Sequence, residues 1–100
     1  MELRSHIETL ELACAKLEYS EDGINEIKKC LPIINADIGW MLELAKNVNN
    51  DFEINEQFVF QVLKDIIYGI ENKDGVYLLD AVRYGLLQIY YYADEEMGES

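Results

Sequence analysis

Ile24, Ile27, Leu31, Ile34, Ile38, Met41, Ala45 and Val48 succeed one another at alternating steps of three and four residues, the spacing at which side chains return to one face of an α-helix. A strand needs a step of two, so this run can bury its apolar side chains only as a helix. The same period recurs in Leu3, Ile7, Leu10, Cys14 and Leu17, and again in Val59, Val62, Leu63, Ile66, Ile67 and Ile70. Leu79, Val82, Leu86, Ile89 and Ala93 give a fourth stripe. Helices with one apolar stripe each must cover those stripes with one another. The chain is therefore expected to be all-α, a four-helix bundle with up-down connectivity.

The residues between the stripes locate the helix ends. Ser20 is the expected N-cap of the second helix, with Glu21 and Asp22 in the first turn, where the helix dipole favours acids. Ser5 and Glu8 either form a capping box or sit inside the first turn of helix one. Pro32 lacks an N–H and crowds the carbonyl of Lys28, which predicts a kink in one continuous second helix. The Asn- and Asp-rich stretch 47–55 reads as a loop ending in the cap Asn55. Asn72 and Lys73 leave only a short connection before Asp74 caps helix four, so helices three and four are expected to form an antiparallel hairpin. Residues 1–100 form one helical domain on this reading, with a tail that frays from about residue 95.

Half of the residues are hydrophobic and only one is proline, which favours a folded domain despite a net charge of −12. That charge repels nucleic acid and anionic lipid, favours basic partners and aids solubility. Neither nucleic acid nor membrane is an expected partner. No apolar run approaches the length of a membrane span, and the start is charged and periodic, so a cytoplasmic protein is expected. Cys14 and Cys30 lack metal-site or redox spacing and read as reduced core residues.

Catalysis is tested by elimination. His6 is the only histidine and lies at the start of helix one, which suits a surface or capping role. The chain holds no Glu-x-x-His pair, no phosphate-cradling Gly-rich loop and no calcium loop. Glu8, Glu11, Asp37 and Glu43 read as solvated. No enzymatic activity, metal or cofactor is expected.

Tyr77, Tyr84 and Tyr91 are seven residues apart, and on a straight helix they point about 180° from the stripe running from Leu79 to Ala93. Ile33, Trp40 and Leu44 lie opposite the seam of helix two in the same way. Helices apolar on two sides belong in the middle of an assembly. A second copy packing helices two and four across a two-fold axis would supply it, while in a compact monomer helices one and three would cover those faces. Asp80 is within reach of Arg83, Tyr84 and Lys73. The candidate interaction surface is thus Tyr77, Tyr84, Tyr91, Asp80, Arg83 and Trp40.

The stretches GIENKDGVYLLDAVRYGLL and IINADIGWMLELA resemble a family of small helical proteins of Gram-positive bacteria. Glu71, Asn72, Lys73 and Asp74 fall on its Glu-Asn-Lys-Asp turn, Leu79 and Asp80 on its Leu-x-Asp element, and Tyr84, Leu86 and Leu87 on its Tyr-x-Leu-Leu element. Arg83 and Gly85 stand where acids are expected, and Gln88 where a proline is. The resemblance implies a helical fold and no particular activity. Two functions are consistent with these features. One is a non-catalytic homodimeric interaction or regulatory module. The other is an acidic decoy of the kind mobile elements encode, occupying the basic surface of a nucleic-acid-binding protein, for which Asp94, Glu95, Glu96 and Glu99 are the only clustered acids.

Overall fold

Side-chain acceptors start three of the helices where the sequence offers them. The Asp22 amide donates to Ser20 Oγ (3.0 Å), the Phe58 amide to Asn55 Oδ1 (3.0 Å) and the Tyr77 amide to Asp74 Oδ1 (3.1 Å). Each takes up a donor that the helix's own ladder leaves free. The computed structural model describes residues 3–47 and 52–97. Its elements are α1 (Leu3–Tyr19), α2 (Asp22–Ala45), α3 (Glu56–Glu71), and a fourth helix in three consecutive pieces: α4 (Gly75–Ala81), a π-helical turn (Val82–Leu86) and α5 (Leu87–Met97). Among the described residues there is no strand. Ser5 sits inside the first turn of α1, where its carbonyl accepts from Thr9 Oγ1.

The connectivity is up-down. Lys16 pairs with Glu26 and His6 meets Asp37, so α2 returns antiparallel along α1. Arg4 at the start of α1 pairs with Asp94 in α5, and Glu18 near its end pairs with Arg83 in the π turn, so α1 is also antiparallel to the fourth helix. A tight turn joins α3 to α4. Lys73 adopts a left-handed conformation (φ 52°), its amide donates to the Ile70 carbonyl, and the Asp74 amide reaches back to the Gly69 carbonyl. These two bonds are the Schellman pattern that closes a helix C-terminus.

The apolar stripes face inward. Leu3, Ile7, Leu10, Cys14 and Leu17 are buried on α1, as are Ile24, Ile27, Ile34, Ile38 and Met41 on α2. Leu31 and Ala45 are half-buried, and Val48 lies outside the described residues. Val59, Val62 and Ile66 line the inner face of α3. Cys14 and Cys30 are free and buried. On α1 and α2 the helices approach so closely that a Cβ on Gly23 would lie 2.3 Å from the Leu17 Cα. Trp40 and Leu44, expected on a second outward face of α2, are half-buried against the core of the same chain, while Ile33 is exposed.

The fourth helix departs from a straight α-helix at one place. Across Val82–Leu86 it widens to a π turn, in which the Leu87 amide donates to the Val82 carbonyl five residues back. Gln88 Nε2 donates to the Arg83 carbonyl at 3.3 Å, taking up an acceptor inside the turn. Gly85 lies against α3, where a Cβ would sit 2.9 Å from Val62 Cγ2. The extra residue rotates the C-terminal part of the helix by about 100° relative to its N-terminal part. The buried face consequently starts at Leu78, not at the half-buried Leu79, and gains Leu87 and Tyr90 beside Leu86, Ile89 and Ala93. α5 stays helical as far as Met97, and Glu99 lies outside the described residues.

A single α2 runs through the exposed Pro32. Pro32→Ala supplies the missing N–H to the Lys28 carbonyl, and the expected result is unchanged or increased stability, by up to about 3 kcal/mol, with equal or greater helicity. Chemical denaturation followed by circular dichroism measures this. A large loss of stability would mean that the proline is needed to shape the helix.

Candidate functional site

The tyrosines spaced seven apart are not brought onto one stripe, because the π turn lies between the first and the last of them. Tyr77 leans toward α3, where its hydroxyl donates to Asp65 Oδ1 (2.9 Å) and its ring meets that of Tyr68 at 4.8 Å between centroids. Tyr91 leans toward α1, where its hydroxyl donates to Glu11 Oε2 at 2.6 Å. Both hydroxyls are held above the ordinary tyrosine pKa, first by those hydrogen bonds to carboxylates. Tyr84, between them, is two-thirds exposed. All three stay outside the core, but on different sides of the helix.

Arg83 points away from Asp80 and pairs with Glu18 of α1. Asp80 instead lines an open cleft of about 310 Å³ on the α3–α4 hairpin with Tyr77, Tyr84, Asp65 and Gly85. Trp40 packs on the core at the far side of α2 and joins neither group. Of the six residues picked from the sequence, Tyr77, Asp80 and Tyr84 come together, while Tyr91, Arg83 and Trp40 serve other contacts.

Asp37 requires a correction. It reads as a solvated acid in the sequence, but it is 1% exposed, and it is the buried charged residue among those described. Tyr90 donates its hydroxyl to Asp37 Oδ2 at 2.6 Å, and His6 Nδ1 lies 2.7 Å from the same oxygen. With the carboxylate ionised, His6 carries its proton on Nδ1 and donates it. His6 is therefore neither a cap nor a free surface residue, and it links α1 to α2. Asp37 Oδ1 is buried with no partner among the described residues. The spacing held the signal: Asp37 lies three residues after Ile34 and four before Met41, on the seam of α2 itself, and His6 lies between Leu3 and Leu10 in the same way. The polar identity of these residues hid a position that is structural.

This group has the orienting half of a catalytic arrangement, a carboxylate fixing an imidazole. Among the described residues no hydroxyl or thiol bonds to His6, and burial pushes the Cys14 thiol up to about 11 despite the opposing charge of Arg83. No group of three His, Cys, Asp or Glu among the described residues is gathered to hold a metal ion. The arrangement ties three helices together, Asp37 on α2 being held from α1 and α5.

The outer face of α3 carries a surface to which the sequence pattern assigns no role. Phe60, Leu63, Lys64, Ile67, Tyr68 and Glu71 recur there at helical spacing and border an apolar groove of about 490 Å³. Phe60 is 47%, Ile67 41% and Tyr68 50% exposed. The signal is a stripe beginning at Phe60 beside the inward one, with Ile67 counted inward where it faces out. Through the Tyr68–Tyr77 ring contact this groove is continuous with the cleft that holds Asp80 and Tyr84. Comparison with protein-family models, curated proteins and solved structures gave no match.

Burial fixes the direction of the alkaline pH dependence. Cys14 is raised from 9.0 to about 11, and Tyr90 is raised well above the ordinary tyrosine range, first by burial and then by its bond to Asp37. Both groups keep their protons in the folded chain after the unfolded chain has lost them, so the unfolded state binds fewer protons and stability falls as pH rises. Denaturation midpoints are expected to hold up to about pH 8.5 and to drop steadily from there to about pH 11. A midpoint that is flat or rises across this interval would contradict the burial of these two groups.

Proposed function

We propose that this chain is a non-catalytic interaction module of the cytoplasm that works as a homodimer. The observation that carries the reading is the continuous apolar and aromatic surface on the outside of the α3–α4 hairpin, from Phe60 through Ile67 and Tyr68 to Tyr77 and Tyr84. Large contiguous apolar patches on small domains are generally contact surfaces. Tyrosine suits such a surface because its ring buries a large area while its hydroxyl keeps a polar partner at the rim. Two free, buried thiols agree with a reducing compartment. The decoy reading asks for carboxylates in rows at phosphate-like spacing, whereas Asp94 is engaged with Arg4, and this favours the module.

Sedimentation velocity from micromolar to millimolar protein tests the proposal. The wild-type chain is expected to shift from monomer to dimer with concentration, and Ile67→Glu to remain a folded monomer by circular dichroism. A wild-type chain that stays monomeric throughout would overturn the homodimer.

A further inference from the structure

We infer that the second copy lays its own α3 antiparallel on this α3, about a two-fold axis passing between Ile67 and Tyr68, so that Lys64 of each chain pairs with Glu71 of the partner subunit. The inference rests on the homodimeric reading above and adds the contact face, its orientation and its register. Lys64 and Glu71 are the charged residues on the outer stripe of α3. They are seven residues apart, which places them on nearly the same face and about 10.5 Å apart along the axis. Neither has an ion-pair partner among the described residues, so both charges are free to meet a second chain. Asp65, beside Tyr68 at the edge of the stripe, is engaged with Tyr77 and Gln61.

Charge selects the occupant. Two chains of net charge −12 repel over most of their surfaces, but the charges on this stripe cancel. A two-fold axis between Ile67 and Tyr68 opposes residue numbers that sum to 135, which pairs Lys64 with Glu71 twice and brings Ile67 onto Tyr68 at the centre. Moving the axis one turn toward Phe60 would bring the two lysines together. Parallel packing would set Lys64 against the partner's Lys64 and Glu71 against the partner's Glu71. Like charges so placed are unfavourable, which leaves the antiparallel register. The stripe is about 18 Å long and about 10 Å wide, well below the roughly 800 Å² that each partner gives to a standard stable interface. The dimer is therefore weak and reversible.

Charge reversal tests the register. Lys64→Glu and Glu71→Lys are each expected to weaken dimerisation by about tenfold or more, and the double variant to recover wild-type affinity to within about threefold. Lys28→Glu is the control. It makes the same change in net charge in the groove beside Lys16 and Glu26, and is expected to alter affinity by less than about twofold. Circular dichroism checks that every variant is folded. A dimer indifferent to Lys64→Glu, or single losses that the double variant does not repair, would overturn the register while leaving the homodimer in place. A wild-type chain that never dimerises, or one that binds a different protein through this stripe in preference to itself, would overturn both.

Discussion

The carboxylate of Asp37 is the constraint around which the packing is arranged. A carboxylate held out of water costs several kcal/mol unless hydrogen bonds offset it. Here the offsetting groups come from two other helices, His6 from α1 and Tyr90 from α5. They reach Asp37 only if α1, α2 and α5 take one relative placement. Apolar contact is non-directional, whereas two hydrogen bonds converging on one oxygen admit a narrow geometry. The buried acid thus selects an arrangement more than it adds stability, in the way a polar residue in a coiled coil fixes register.

The π turn answers the same requirement. Without its extra residue, Leu78 and Tyr90 could not both be fully buried on the fourth helix. The turn rotates Tyr90 inward toward Asp37 while Gly85 allows the backbone to sit against Val62. The same rotation divides the tyrosines, sending Tyr77 to α3 and Tyr91 to α1. The exposed apolar groove lies on the hairpin side, along α3. The polar pin inside is therefore a consequence of one local change in helical pitch.

Much of the fold is legible in the sequence because periodicity and capping are local. The stripes on α1 and α2, the caps Asn55 and Asp74 and the α3–α4 hairpin all depend on residues within a few turns of one another. The features that are not legible depend on contacts distant in sequence. Asp37 and His6 both sit on seams, but hydropathy counts a polar residue there as an interruption unless a donor from residue 90 can be foreseen. The π turn carries no residue signature beyond Gly85, and it shifts every helical angle beyond it, which is why Tyr77, Tyr84 and Tyr91 read as one stripe. Ile67 reads as inward because α3 carries adjacent apolar stripes, and only packing shows which one the bundle covers.

The role of Asp37 is tested most directly by a double-mutant cycle with Tyr90, using Asp37→Leu, Tyr90→Phe and the double variant in chemical denaturation. Asp37→Leu leaves the Tyr90 hydroxyl buried without its acceptor and Tyr90→Phe takes one of two partners from Asp37 Oδ2, whereas the double change removes this donor and acceptor together. If Asp37 pins the helices, the double variant is more stable than the sum of the single losses implies, with a coupling of about 1–3 kcal/mol. Additive losses, with a coupling indistinguishable from zero, would contradict that role.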